Sequence, residues 1–462
     1  MGKKIVVVGG GIAGLVAAEI CTIFWPKSEV HIVEKESSVG GLLRRFEYGV
    51  FGSFDYGMHN YLCTGVELID NLIFNLLASE DWQILEGSKR DLAGVFFNGR
   101  LQKNSPYVDL RESGFRPTIL TELLSKASYT PPAPTGAADQ FLQKRFGPTV
   151  THGILAPILK KLYRHSIDQL DAMATLITPL GRLLLCDKAA MDEINHSDLL
   201  RGYLAYPEQR ELNLSLSSGR KAIYPKNYGM YRIVDGLVSG LTSKGAKIYT
   251  DEEVVNIKTD KKGIAAVHLR SKTEIEAPDL VIWSAGPGSL TKALNTPVHH
   301  LEWDTPATTT VTNLLISEPL EMGDLYYAYN YDEGYLTFRI TPFYNYSENS
   351  QRMGGYPVAV EMLVTEKMDL DTIKERAIHE LRRMGVLRSS TKIIFAKAEI
   401  IPGGFPLPTR KNIANIDKQR DAIASLGLKN LTQIGILSEK NLFFQTDVLI
   451  DLYHKLRQQN AS

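Results

Sequence analysis

The chain has 462 residues, of which 44% are hydrophobic, and 52 Lys and Arg balance 52 Asp and Glu to a formal net charge of zero. That length allows a large core divided over two or three domains, and the neutral balance, without a run of like charges, supplies no field for a phosphate polymer, so no nucleic-acid partner is expected. Cys21, Cys63 and Cys186 are odd in number and widely spaced, which predicts reduced thiols in a cytoplasmic protein and excludes a disulfide framework.

Lys3 and Lys4 before the apolar run Ile5 to Ile20 mimic a signal peptide, but four glycines and Glu19 within the run argue against one. Nothing else approaches about 20 uninterrupted apolar residues, so no transmembrane helix is expected. Lys4 to Val8 is a β-branched run of the kind buried on both faces of a parallel sheet. Gly9, Gly11 and Gly14 then fit G-x-G-x-x-G, with Ile12 and Ala13 between them and an apolar helix following from Leu15 to Cys21. In this pattern the first glycine allows a tight turn, the second lets backbone approach a pyrophosphate, and the third lets helix lie against strand. A second strand, Val30 to Val33, ends at Glu34, 20 residues beyond Gly14, where a dinucleotide fold places the carboxylate that grips ribose hydroxyls.

Next come Lys35, the pair Gly40-Gly41, and Phe54-Asp55-Tyr56-Gly57-Met58-His59. A ribose-binding Glu, a glycine pair six residues on and an Asp-x-Gly-x-His segment resemble the FAD-dependent superfamily that contains protoporphyrinogen oxidase, phytoene desaturase, the amine oxidases and UDP-galactopyranose mutase. The resemblance continues through Tyr224 to Ile257, Pro278 to Gly286, Phe405 to Pro408 and Asn430 to Ile450, and so spans nearly the whole chain. It implies an FAD site made by Gly9, Gly11, Ile12, Ala13, Gly14, Glu34, Lys35, Gly40, Gly41, Leu42, Gly57, Met58, His59, Val254, Ala285, Gly286, Gly435, Thr446, Asp447 and Val448. Within that set Val254 would meet the adenine through its backbone, Gly57 to His59 would run beside the isoalloxazine ring, and the helix after Gly435 would point its N-terminus at the pyrimidine. Without the resemblance, Thr446-Asp447 reads as an N-cap. Leu42 and Ile436 stand where members commonly carry Arg, which counts against a simple mutase.

The remaining segments, 76–219 and 287–400, are expected to form a substrate domain inserted twice into an FAD domain of residues 1–75, 220–286 and 401–462. Val95 to Leu101 predicts a hairpin around Asn98-Gly99, Tyr129 to Ala137 a loop, and Asp139 to about Ala190 a helical stretch. Within it, Ile154 to His165 is basic and apolar, fitting either a core helix or a helix lying on a membrane surface. Tyr326 to Tyr346 is rich in Tyr and predicts a hairpin about Asp332-Glu333-Gly334, with Tyr335 walling the flavin face and Arg339 receiving an anionic substrate group. His299-His300 lacks the spacing of two ligands on one helical face, so no metal is expected. No G-x-S-x-G elbow and no second dinucleotide fingerprint appear.

The fold expected is thus α/β: a Rossmann-like FAD domain built from discontinuous segments, and a mixed α+β substrate domain with a helical insertion. The resemblance implies an oxidoreductase that passes a hydride from a small organic substrate to flavin N5, with His59, Arg339 and Tyr335 as the catalytic candidates and His59 or Cys63 as the candidates for covalent attachment. Two alternatives stand beside it: a redox-neutral flavin mutase of a nucleotide-linked sugar, and a flavin-binding protein without catalysis. Oligomeric state is left open.

Overall fold

The computed structural model describes residues 2–90, 92–103, 105–126, 133–212 and 220–461. Its first layer is a five-stranded parallel sheet in the order Lys247–Tyr249, Glu29–Val33, Lys4–Val8, Leu280–Trp283, Leu431–Gln433. Lys4–Val8 is central because both its faces can be buried. Ile5 and Val7 feed one hydrophobic cluster while Val6 and Val8 feed another, the two-sided covering that parallel strands require. Helix Ile12–Phe24 packs on one side against helices Tyr231–Ser243 and Gln445–Ala461.

The second layer is a seven-stranded sheet in the order Ile393–Ile400, Thr308–Ile316, Tyr356–Val364, Thr337–Pro342, Tyr327–Asn330, Ala93–Phe97, Arg100–Gln102. Neighbours are antiparallel except Tyr327–Asn330 against Ala93–Phe97. Both expected hairpins are present. At the first, Asn98 and Gly99 take φ of 53° and 73°, the left-handed pair that a two-residue turn needs, and their N–H groups donate to Asp332 at 2.6 and 2.7 Å. The turn of one hairpin therefore closes on the turn of the other.

The strands of the parallel sheet come from residues 4–33, 247–283 and 431–433, and those of the larger sheet from 93–102 and 308–400. Trp82–Ile84, beyond the boundary expected at residue 75, pairs with Ala222–Pro225 beside Tyr61–Leu62. A single hydrophobic cluster runs from Ile5 through Tyr224 to Val360, so the two layers share one core.

The helical insertion comprises helices Ala138–Phe146 and Ala156–Tyr163 joined through a π-turn at Thr151–Leu155. Ile158, Leu159 and Leu162 are at most 1% exposed and pack with Tyr331, Phe338 and Phe405. The apolar face of Ile154 to His165 is therefore consumed by the core, which removes the ground for laying this stretch on a membrane. Helix does not continue to Ala190: the chain leaves it at Arg164, φ 58°, makes a short 3-10 helix at Ala172–Thr175, and Pro179 and Gly181 keep the next stretch free of helix until Lys188–Ile194. Of the expected loop, residues 129–132 lie outside the described residues, and 133–137 have neither helix nor extended strand. Among the described residues no helix is long and apolar enough to cross a membrane.

Candidate functional site

One cavity of about 780 Å³ runs between the two sheets, from the glycine turn at the end of Lys4–Val8 to the aromatic face of the larger sheet. Its first half is built by close backbone approach. Gly9 has φ 99°, and a Cβ on Gly14 would stand 1.9 Å from the Gly9 carbonyl oxygen, so helix and strand can touch here only without a side chain. Gly40 N–H donates to the Gly10 carbonyl at 2.7 Å, and Gly41, φ 58°, brings its backbone against Gly11. Glu34, 8% exposed, accepts from Gly10 N–H at 2.7 Å and Glu36 N–H at 2.9 Å. Gly9, Gly11, Ile12, Ala13, Glu34, Lys35, Gly41, Leu42, Val254, Ala285 and Gly286 all line this half. Gly14 and Gly40 do not line it; they set the shape of those that do.

At the other half Met58, His59, Gly435 and Val448 line the cavity, together with Gln445 at the first turn of helix Gln445–Ala461. Four N–H groups at a helix start lack intrahelical partners, so this end is polar and positive on the cavity side. Thr446 is not the N-cap, since the helix already begins at Gln445. Thr446 is buried with its hydroxyl 3.5 Å from the Leu62 carbonyl, and Asp447 faces Arg220 at 3.6 Å. Neither lines the cavity, because successive helical side chains point to different sides and the adjacent Gln445 and Val448 take the cavity side.

The far wall is the larger sheet. Arg339 and Glu361 sit directly opposite on neighbouring strands and form a bidentate pair, Nε to Oε2 at 2.5 Å and Nη2 to Oε1 at 2.7 Å. Burial opposes the Arg339 charge, but Glu361 more than offsets it and holds the guanidinium firmly protonated. The expectation that Arg339 would receive an anionic substrate group is corrected in part: Arg339 does line the cavity, but the Nε–Nη2 edge of its guanidinium is already taken by a carboxylate. Tyr335 is corrected as well. It lies in the hairpin turn, packed on Phe96 at 5.7 Å and under Arg383 at 4.3 Å, outside the cavity lining. Tyr329 and Phe338 supply the rings instead, with Phe405, Phe443 and Phe444.

Burial and the nearby Arg339 charge push the His59 pKa down to about 3, so the ring on the cavity wall is neutral at ordinary pH. Just before it, Gly57 approaches Glu361 so closely that a Cβ would lie 2.9 Å from Oε1. Asp55, 1% exposed, anchors this strip. It accepts from Tyr224 Oη at 2.8 Å and Met230 N–H at 3.1 Å, and burial, against those hydrogen bonds, pushes its pKa up to about 6. Cys63 is buried outside the cavity lining, and burial raises its thiol to about 11, a poor environment for a thiolate.

Glu361 was not apparent as a site residue from sequence reading. The signal was present: one acid within the otherwise apolar strand Tyr356–Val364 requires a buried partner. The cavity residues Ile177, Thr309, Pro402 and Phe443 carried no comparable signal, being ordinary apolar or β-branched positions.

Residues 7–72 match the family described as NAD(P)-binding Rossmann-like domain. A search of the curated proteins found no match. Among solved structures, reduced UDP-galactopyranose mutase is similar over 99% of this chain and 96% of its own, at 15% identity and a TM-score of 0.73. A candidate protoporphyrinogen oxidase from Exiguobacterium sp. 255-15 is similar over 99% of both chains, at 16% identity and a TM-score of 0.69. Wild-type putrescine oxidase bound to putrescine is similar over 99% of both chains, at 12% identity and a TM-score of 0.61. With a glycine-rich first βαβ unit, a discontinuous parallel sheet and a second sheet closing one shared cavity, the chain shares the fold of these three structures along its whole length.

Proposed function

We propose that the protein is an FAD-dependent oxidoreductase acting on a small organic molecule. The observation that carries this reading is continuity: the glycine cradle at Gly9 to Gly14 and the aromatic chamber at Tyr329, Phe338 and Phe405 belong to one cavity. The cradle fits an extended dinucleotide because side chains are missing where backbone must come close, at Gly9 and Gly41, and because Glu34 stands at the ribose position. FAD held there would supply two-electron acceptance from a substrate C–H, with O₂ or another acceptor as the final oxidant.

The chain's own residues then have definable roles. Glu34 orients the adenosine end, and Val254, Ala285 and Gly286 close over it. The first turn of helix Gln445–Ala461 directs unpaired N–H groups toward the ring-proximal end, where they favour negative charge. Thr446 and Asp447 support that helix start from behind. Met58 and the neutral His59 form the strip along the ring, His59 offering one ring N–H and one ring nitrogen for hydrogen bonding without adding charge. Tyr329, Phe338 and Phe405 hold substrate and exclude water.

The test is an anaerobic visible spectrum of the purified, FAD-supplemented protein during addition of amines, porphyrinogens and polyenes. Bleaching of the flavin band by one compound is expected. A protein that takes up no FAD, or a flavin that interconverts a UDP-sugar only after chemical reduction, would overturn the assignment, the second in favour of a mutase.

A further inference from the structure

The charges around the cavity are all engaged, and that bears on what enters it. Among the described lining residues the cations are Lys35 and Arg339. Lys35 lies at the ribose end, 3.7 Å from Glu36 and 67% exposed. Arg339 is paired with both oxygens of Glu361 and also hydrogen-bonds Tyr329, so its charge is balanced within the wall. The other lining carboxylates are also engaged and lie at the ribose end: Glu34 by backbone N–H groups, Glu252 by Ser271 N–H, Glu253 by Arg270 and Lys292. The rest of the chamber wall combines apolar and aromatic side chains such as Ile177, Phe338, Phe405 and Phe443 with the uncharged polar groups of His59, Thr309, Tyr329 and Gln445. Its rim is apolar, with Ile436 and Phe444 46% and 47% exposed.

Resting on the proposed function above, we infer that the substrate is a neutral, largely apolar molecule, without phosphate, carboxylate or ammonium at the end that meets the flavin, and that the Glu361 clamp on Arg339 sets this selectivity. A charged group brought into the chamber would be desolvated without a partner. Among the described lining residues a diphosphate would find no unpaired cation, and an ammonium no unpaired carboxylate. The clamp also protects selectivity from the protein's own Arg: with Glu361 neutralised, the guanidinium becomes the only unbalanced charge in the wall and an anion site appears.

The experiment uses the FAD-loaded protein and three probes with one ring system and three charges: 2-naphthylmethanol, 2-naphthoate and 2-naphthylmethylammonium, with UDP-galactose as a fourth. Binding is read as perturbation of the flavin absorption band, which does not require turnover. Naphthylmethanol is expected to bind at least about tenfold more tightly than either charged probe, with UDP-galactose silent. In Glu361→Gln, the affinity for naphthoate relative to naphthylmethanol should rise at least about tenfold. Charged probes or UDP-galactose binding as tightly as naphthylmethanol in the unaltered protein would overturn the inference, as would silence of all four. Should Glu361→Gln fail to fold, the titration of the unaltered protein still decides. A protein that takes up no FAD fails the proposed function instead, so the two failures are distinct.

Discussion

Asp55 offers the sharpest quantitative test of how the ring-proximal strip is held. Its carboxyl is buried and titrates near 6 in the folded chain against an ordinary value of 3.8. Between those values the folded state keeps a proton that the unfolded state has released. Stability is therefore fully present below about pH 4 and is lost as pH rises through about 6. The shift is about two pKa units, and at about 1.4 kcal/mol per unit the loss is roughly 3 kcal/mol. Asp55→Asn preserves an acceptor for Tyr224 and Met230 but cannot ionise. Relative to the unaltered protein, the variant should gain about 3 kcal/mol between pH 4 and pH 7, measured as the difference in urea unfolding free energies across that range. His59 titrates in the opposite sense, its depressed pKa costing stability as pH falls, but it is common to both proteins and cancels in the difference. The charged and titratable groups around Asp55 are Tyr224, Tyr228, Tyr231 and Arg352, the last stacked 4.2 Å from the Phe54 ring. A pH-independent difference, or a gain for Asp55 as pH rises, would refute the argument and show that Arg352 holds the carboxylate ionised.

Three further outcomes follow from single contacts. Gly14→Ala forces a Cβ to 1.9 Å from the Gly9 carbonyl oxygen; the backbones must part, costing about 1–3 kcal/mol and lowering the FAD retained through gel filtration. Arg339→Met strands Glu361 and should destabilise by about 3–5 kcal/mol in thermal unfolding, whereas Arg339→Met with Glu361→Met recovers most of that loss. Lys161, 4% exposed and donating to the Asn330 and Thr337 carbonyls, has a pKa pushed down by burial to about 7. Its folded pKa lies below the unfolded one, so stability should rise from about pH 7 toward pH 10 in the unaltered protein, and Lys161→Met should abolish that rise in urea titrations.

The nucleotide half of the site was legible because its chemistry is backbone chemistry. Gly9, Gly11, Gly14 and Glu34 are fixed by turn geometry at short spacing, and such constraints are written locally. The substrate half is assembled by pairings between strands far apart in sequence, and local reading misread two of its residues. Arg339 looked free because Glu361, its cross-strand neighbour, lies 22 residues away, and nothing in the hairpin itself announces that register. Tyr335 looked like a wall residue because the hairpin was correct, but the turn carries it under helix Leu370–Arg383 and away from the cavity. Of the two readings of Ile154 to His165, the structure has the core helix and not the membrane-surface one, a choice the pattern left open because an amphipathic pattern shows that one face is covered, not what covers it. Thr446 and Asp447 missed the cavity lining by a single helical position.

Why a neutral chamber should contain a buried ion pair at all is answered by what Glu361 touches. Replacing such a pair with apolar residues is often neutral for stability, so its presence asks for a positional reason. Glu361 is 4% exposed, is held by two bonds from Arg339, and has Gly57 pressed against it, leaving no room for a Cβ beyond 2.9 Å of Oε1. The pair thus forms a plate on the larger sheet against which Gly57 is pressed, two residues before His59 on the cavity wall. Gly57 is not in the left-handed region, so Gly57→Ala introduces no backbone strain and tests the contact alone. If the plate is rigid, the added methyl group should cost about 1–3 kcal/mol and perturb the bound flavin's absorption, because the strip must lift. A variant with unchanged stability and spectrum would mean that Glu361 yields to the methyl group, and that the ion pair does not set the position of His59.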